Sequence, residues 1–173
     1  MNISKLFPVI EPHSAAERRW QGAAFILTGV VLALDQFTKI LTVRMFELHE
    51  SRPVIDGLFN LTYVRNYGAA WSILSGHIWL LLLIAVLVVA GTIWKFRYLT
   101  EGYSERYLAI FLVFGGVLGN SIDRIWRGAV VDFLDFYIKS YHWPVFNVAD
   151  IAICCGVGIF MLSSLLRKEK KTP

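Results

Sequence analysis

The chain has 173 residues, of which 56% are hydrophobic, and its mean hydropathy is +0.55. This composition excludes a typical soluble domain of the same size and favours an integral membrane protein. The net charge of +4 comes from basic clusters beside apolar stretches, not from a basic stripe interleaved with aromatic residues, so we expect membrane lipid and no nucleic acid as a partner.

Four apolar stretches are each close to the roughly 20 residues that a helix needs to cross about 30 Å of hydrocarbon. They cover residues 22–43, 77–94, 107–125 and 146–166. These stretches predict an all-α membrane protein whose four transmembrane helices form one domain over residues 22–166. A polar amino-terminal extension at 1–21 precedes the domain, and a basic tail at 167–173 follows it.

Basic residues beside the stretches indicate how the helices are oriented. They lie in the amino-terminal region, in the connection between the second and third stretches, and in the tail. These residues are Lys5, Arg18, Arg19, Lys95, Arg97, Arg106, Arg167, Lys168, Lys170 and Lys171. Because lysine and arginine concentrate on the cytoplasmic side, both termini are expected to be cytoplasmic. The first stretch begins only at Gly22 with no small-x-small cleavage site after it, so we expect it to be retained.

The two connections on the external side carry different patterns. Residues 53–55, the turn pair Asp56 and Gly57, and residues 58–65 predict a short β-hairpin, and hence a small extracytoplasmic sheet at the membrane surface. The connection 126–145 is rich in aromatic residues, which suit the headgroup zone, so we expect it to lie on the bilayer as a surface connection. Its aromatic residues include Trp126, Phe133, Phe136, Tyr137, Tyr141 and Trp143.

Cysteine and histidine residues give no sign of a disulfide or a metal centre. Cys154 and Cys155 are adjacent within an apolar stretch, where they make no useful cross-link, and they are predicted to be packing residues. The four histidines lack the spacing of metal ligands. We therefore expect no metal and no other cofactor.

Three glycines in the third stretch, Gly115, Gly116 and Gly119, predict that this helix approaches a neighbour closely. Small residues allow such contacts in membrane helix bundles. We interpret them as packing positions and not as part of a reactive site.

Charged residues within membrane spans are costly, so each needs a partner or a function. Asp35 and Lys39 are one helical turn apart on one face of the first stretch and are predicted to pair. Further polar residues gather at the external ends of the third and fourth stretches and between them: Asn120, Asp123, Arg124, Asp132, Asn147 and Asp150. Structural ion pairs, Asp35 with Lys39 and Asp123 with Arg124, are the alternative interpretation, but the convergence of four carboxylates at one face indicates a site.

Two carboxylates held close together in a partly dry setting share one proton, and such a pair can act as general base and general acid in hydrolysis. The spacing does not identify which two of the four aspartates form it. A serine mechanism, with Lys39 as base and Ser72 or Ser121 as nucleophile, is an alternative that lacks a Gly-x-Ser-x-Gly motif. A small proton-coupled transporter is a further alternative, although the acids lie at one face and form no chain across the bilayer.

Five motifs, in this order and spacing, identify a family. They are DQFTK at 35–39, NYGAAWS at 66–72, GNSIDR at 119–124, VVDF at 130–133 and FNVAD at 146–150. With them the chain resembles the lipoprotein signal peptidases, also called signal peptidase II, from about Gly22 onward. The resemblance implies an aspartyl peptidase of the bacterial inner membrane that cuts prolipoproteins just before the diacylglyceryl-modified cysteine, with Asp132 and Asp150 as its catalytic dyad.

The same resemblance implies roles for further residues, near the periplasmic face of a monomeric enzyme whose partners are diacylglyceryl-prolipoproteins and membrane lipid. The residues expected to contact the substrate or support the dyad are Asn66, Gly68, Asn120, Arg124, Asn147, Asp35, Lys39 and Asp123. Asp135, one helical turn beyond Asp132, receives no role and is expected to face solvent. Two features depart from the family pattern: the amino-terminal extension, and Trp71 where phenylalanine is common.

Overall fold

The computed structural model describes residues 14–167. Its elements are α1 (Ala15–Met45), β1 (Ser51–Ile55), β2 (Phe59–Asn66), a short 3-10 helix (Ala70–Ser72), α2 (Ile78–Trp94), α3 (Phe96–Thr100), α4 (Ser104–Arg127), β3 (Val130–Ile138), β4 (Tyr141–His142) and α5 (Val148–Leu166). The predictions made for Lys5, Lys168, Lys170 and Lys171, and for most of the amino-terminal extension, concern residues outside the described range.

Three of the described helices, α1, α4 and α5, are long and apolar enough to cross a membrane, with 31, 24 and 19 residues. The α2 helix is also apolar but has only 17 residues. Local signals set the helix ends: the Ser14 hydroxyl accepts a hydrogen bond from the Glu17 amide at 3.0 Å, and α4 stops at Gly128 with a left-handed φ of 71°.

Glycines on α4 bring three helices into close contact, as the sequence predicted. A Cβ atom added to Gly115 would lie 2.9 Å from Val31 Cγ1 of α1. A Cβ added to Gly116 would lie 2.3 Å from the Ala149 carbonyl oxygen of α5, and Gly119 is similarly crowded against α1. The helix α4 therefore occupies the centre of the bundle, with α1 and α5 packed against it and α2 at the side.

The connections between α1 and α2 and between α4 and α5 form one antiparallel sheet in the order β1-β2-β3-β4. The predicted hairpin is confirmed, because β1 and β2 pair on either side of the Asp56 and Gly57 turn. The strand β3 then pairs with β2, so that Asp132 lies opposite Val64 and Val130 lies opposite Asn66. The sheet thereby joins the two connections, which were predicted to be separate elements.

The structure corrects two expectations about the second connection. It is not a surface connection throughout, since β3 forms an interior strand of the sheet with Val131 fully buried. Asp135 does not face solvent: it is 3% exposed, accepts a hydrogen bond from the Thr62 hydroxyl at 2.9 Å, and pairs with His142 Nδ1 at 2.7 Å. The polar side chains of neighbouring strands explain how a carboxylate can be buried there.

The prediction that Cys154 and Cys155 are packing residues is also wrong, because both are exposed. The small residues Ala149, Ala152 and Gly156 form the buried face of α5. The cysteines lie away from that face and contribute little to the bundle.

Candidate active site

Asp132 and Asp150 reach the same place from different elements. Asp132 is on β3 and is 2% exposed, whereas Asp150 occupies the third position of α5. Phe146 bridges back to Leu134 just before α5 begins, which returns the chain to the side of β3. A short connection and a paired strand thus place both carboxylates at the start of α5.

Asn147 joins the two carboxylates directly. Its side-chain nitrogen donates to Asp132 Oδ1 at 2.6 Å, and its backbone N–H donates to Asp150 Oδ2 at 3.1 Å. Its side-chain oxygen accepts from the Asp150 amide at 3.0 Å, which completes a capping box at the helix N-terminus. One residue therefore starts the helix and fixes both acidic side chains.

Asn120 connects this pair to a buried cation. Its side-chain nitrogen donates to Asp150 Oδ1 at 2.8 Å, and its side-chain oxygen accepts from Lys39 Nζ at 2.9 Å and from Asn147 at 3.2 Å. Because an ammonium group only donates, Asn120 must turn its oxygen toward Lys39. Its side-chain nitrogen must therefore point toward Asp150.

Lys39 is fully buried between two carboxylates, 3.0 Å from Asp35 Oδ2 and 3.1 Å from Asp123 Oδ2. The predicted pairing of Asp35 with Lys39 is confirmed. Asp35 also accepts from the backbone N–H of Ala149 at 3.0 Å, and Asp123 accepts from that of Val131 at 3.0 Å. The ion group thus holds the first turn of α5 and the start of β3, the two elements that carry the acidic pair.

Two members of this cluster were missed from the sequence. Arg127 forms an ion pair with Asp123 and donates to Gln36 Oε1 at 3.1 Å. The Gln36 side-chain nitrogen lies 3.1 Å from Asp35 Oδ2 and 3.3 Å from Asp123 Oδ1. The four-residue spacing of Asp123 and Arg127 on a helix was the available signal.

A second set of contacts links the acidic pair to the loop after β2. The Asn66 side-chain nitrogen donates to Asp132 Oδ2 at 3.1 Å, and its oxygen accepts from the Gly68 amide at 2.9 Å. Arg124 donates to the Gly68 carbonyl at 2.8 Å and to the Asn120 carbonyl at 3.3 Å. In the described residues, Asp123 forms its ion pairs with Lys39 and Arg127, not with Arg124.

The surroundings of Asp132 favour its protonated form. Burial, with a further contribution from the Asp150 carboxylate, raises the pKa of Asp132 to about 7. Hydrogen bonds from Asn66 and Asn147 and the charge of Lys39 oppose this rise. Near neutral pH Asp132 can therefore retain a proton in the presence of the Asp150 carboxylate, an arrangement suited to general acid and base catalysis.

The serine alternative has little support from the geometry. All three protons of Lys39 are directed at Asp35, Asp123 and Asn120, so its nitrogen has no lone pair to offer as a base. The Ser121 hydroxyl donates to the Val117 carbonyl at 2.7 Å within its own helix.

Comparison with known proteins identifies the family. A family model described as signal peptidase (SPase) II matches residues 27–166. The lipoprotein signal peptidase of Geobacter sulfurreducens is 46% identical over 145 residues, covering 82% of this chain and 91% of that protein. The lipoprotein signal peptidase of Halalkalibacterium halodurans is also 46% identical, over 85% of this chain and 94% of its own length.

A solved structure described as a bacterial membrane enzyme at 2.3 Å resolution has the same fold. It superposes with a TM-score of 0.79 at 34% identity and covers 88% of this chain and 95% of its own. The architecture is thus shared along most of both proteins. The chain belongs to the signal peptidase II family.

Proposed function

We propose that this chain is an aspartyl endopeptidase that removes the signal peptide from prolipoproteins by hydrolysis just before the diacylglyceryl-modified cysteine. Membership of the signal peptidase II family supports the reaction and its substrate class. The observation that carries the mechanism is the position of Asn147, which donates to both Asp132 and Asp150.

In the proposed reaction Asp132 enters with the shared proton, because it is the carboxyl group whose pKa burial and a neighbouring charge raise to about 7. Asp150 accepts a proton from water while the water oxygen attacks the scissile carbonyl carbon, and Asp132 gives its proton to the carbonyl oxygen. The tetrahedral adduct then loses its C–N bond. Asp150 protonates the leaving nitrogen, and Asp132 regains a proton from the hydroxyl of the new carboxyl group.

Asn66, Gly68 and Arg124 are proposed to meet the substrate near the cut. Asn66 binds both Asp132 and the Gly68 amide, and Arg124 already binds a backbone carbonyl, that of Gly68. A guanidinium group that holds one peptide carbonyl can hold another of an incoming extended peptide. We assign Asp35, Lys39, Asp123, Asn120 and Asn147 to support of the dyad, since their contacts run to the elements that carry it.

We propose that α2 is the fourth transmembrane helix, since its 17 residues, at about 1.5 Å each, reach roughly 26 Å. Basic residues near the start of α1 and the end of α2, such as Arg18 and Lys95, support cytoplasmic termini. The dyad then lies at the opposite, periplasmic face of the inner membrane. The proposed domain covers 22–166 of a monomer, with an extension at 1–21 and a basic tail at 167–173.

Two exposed aromatic residues lie in the segments that follow Gly68 and precede Asn147. Trp71 is 67% exposed and meets Trp143 edge to face, with ring centroids 6.0 Å apart. Amphipathic aromatic side chains favour the headgroup zone, where a lipidated cysteine would also lie. We propose that the sheet and this aromatic pair hold the substrate from the outer side, in contact with membrane lipid.

The test is cleavage of a diacylated precursor peptide by purified protein in lipid. Asp132→Asn and Asp150→Asn are each expected to abolish cleavage, whereas Asp56→Asn in the exposed hairpin turn serves as the matched control and retains it. Full activity in either dyad variant would reject the aspartyl mechanism. The transporter alternative would instead yield proton flux in liposomes without cleavage. A covalent acyl-enzyme in the parent protein, lost together with cleavage in Ser72→Ala or Ser121→Ala, would support a serine mechanism.

A further inference from the structure

The cluster beneath the proposed dyad would carry an unbalanced charge without Arg127. Asp35, Asp123 and Lys39 are each fully buried, so two carboxylates face one ammonium group. An uncompensated buried charge is strongly unfavourable. The Arg127 side chain, 22% exposed, supplies the second cation through its ion pair with Asp123.

Gln36 links Arg127 to both carboxylates in a fixed orientation. A guanidinium group only donates, so the Gln36 oxygen must face Arg127 at 3.1 Å, and its nitrogen must face Asp35 and Asp123. The Gln36 nitrogen also donates to the Gly119 carbonyl at 3.2 Å, one residue before Asn120. Arg127 thus binds the Asp123 oxygen that does not face Lys39.

Asp123 transmits this arrangement to the dyad in two ways. One of its oxygens, Oδ2, binds Lys39 Nζ and accepts a hydrogen bond from the backbone N–H of Val131, the residue immediately before Asp132. The other oxygen, Oδ1, binds the Arg127 guanidinium group and accepts a hydrogen bond from the Gln36 side-chain nitrogen. With Arg127 satisfying that second oxygen, Lys39 is shared with Asp35 and stays directed at the Asn120 oxygen.

We propose that Arg127 is a positioning residue that neutralises Asp123 and thereby keeps Lys39 and Asn120 aligned with the dyad, setting the pH range over which the enzyme works. This inference rests on the proposed aspartyl mechanism. Arg127 touches neither dyad carboxylate and acts through Asp123, Lys39 and Asn120.

The charges that act on Asp132 determine the sign of the effect. Asp150 of α5 acts on it as an anion and Lys39 of α1 as a cation, Arg124 of α4 is a second cation, and the carboxylates Asp35 and Asp123 bind Lys39. The strand β2 contributes only the neutral amide of Asn66. Removal of the Arg127 cation leaves the negative charge of Asp123 less compensated, and this net negative change raises the pKa of Asp132 further.

The experiment measures kcat and KM for a diacylated precursor peptide from pH 5 to 9 in Arg127→Met and in the parent protein. The alkaline limb of the kcat profile is expected to move up by about 0.3 to 1 pH unit, the order of magnitude that one unit charge produces over ~10 Å at a dielectric constant of roughly 25–80. The value of kcat at its optimum is expected to fall about tenfold, less than the ~100-fold that accompanies an ångström of misplacement. KM should stay within about twofold, because Arg127 does not meet the substrate.

Two variants separate positioning from stability and from general surface charge. Arg127→Lys is expected to restore the parent profile, since it returns a cation to Asp123. Arg44→Met is the matched control, because it removes a cation from an exposed position at the same end of the helices, and it should leave the profile unchanged. Should Arg127→Met fail to fold, Arg127→Gln removes the charge while keeping a donor for Asp123.

A uniform loss of kcat at every pH, an unshifted Arg127→Met profile, or an equal shift in Arg44→Met would each overturn the inference. A profile that Arg127→Lys leaves unrestored would do so as well. If the parent protein cleaves with a bell-shaped pH profile and Arg127→Met matches it, only this inference fails. If the parent protein does not cleave the precursor, or if Asp132→Asn cleaves it as fast as the parent does, the proposed function itself fails.

Discussion

A single added methyl group at Gly116 tests whether helix packing sets the position of Asp150. The Cβ of Gly116→Ala would lie 2.3 Å from the Ala149 carbonyl oxygen and 2.7 Å from Ile153 Cγ1. Ordinary contacts need about 3.5 Å, so the start of α5 must move by roughly 1 Å. Overpacking of this kind costs about 1–3 kcal/mol, and an ångström of displacement at reacting groups lowers the rate by about 100-fold.

The assay combines thermal unfolding in detergent with cleavage of a diacylated precursor peptide. Gly116→Ala is expected to lower Tm by roughly 2–12 °C, at about 2–4 °C per kcal/mol, and to reduce cleavage about 100-fold. Gly158→Ala in α5 is the control: nothing lies within 4 Å of its added Cβ, and the better helix propensity of alanine makes it neutral or stabilising. Parental Tm and parental activity in Gly116→Ala would refute the reasoning.

Three further predictions concern buried charges. Because the pKa of Asp132 is raised from 3.8 to about 7 in the folded state, the unfolded chain loses this proton at lower pH than the folded one, so Tm should fall as pH rises from about 4 to about 7, level off above that, and fall less in Asp132→Asn; an equal fall in both proteins would contradict this. Lys39→Met leaves two buried carboxylates without their shared cation and should cost about 3–5 kcal/mol in unfolding experiments, whereas exposed Lys95→Met should be neutral. Asp135→Ala removes the acceptor of the sheet's polar contacts and should cost about 1–3 kcal/mol, unlike exposed Asp56→Ala, and matching unfolding curves would show that the buried carboxylate is dispensable.

Features governed by local rules could be predicted from the sequence. The four-residue spacing of Asp35 and Lys39 predicted their ion pair, which the structure confirms at 3.0 Å. The Asp56 and Gly57 turn pair predicted the hairpin that β1 and β2 form. In both cases the interacting residues are near one another in the chain, so the periodicity of helix or strand decides the contact.

Features that depend on distant partners were missed. The aromatic-rich connection contains β3, whose strand character depends on pairing with β2 more than sixty residues earlier in the chain. Asp135 is buried because Thr62 and His142 are brought to it by that pairing. The role of Gln36 likewise follows from the approach of α4 to α1, which no spacing within one helix reveals.

The acidic residue of α5 also begins that helix, because Asn147 and Asp150 form its capping box. If the proposed dyad is correct, a newly made chain in which α5 has not yet formed and packed against its neighbours lacks the paired arrangement of Asp132 and Asp150. Under the proposed mechanism, peptidase activity would therefore depend on the formation and packing of this last helix.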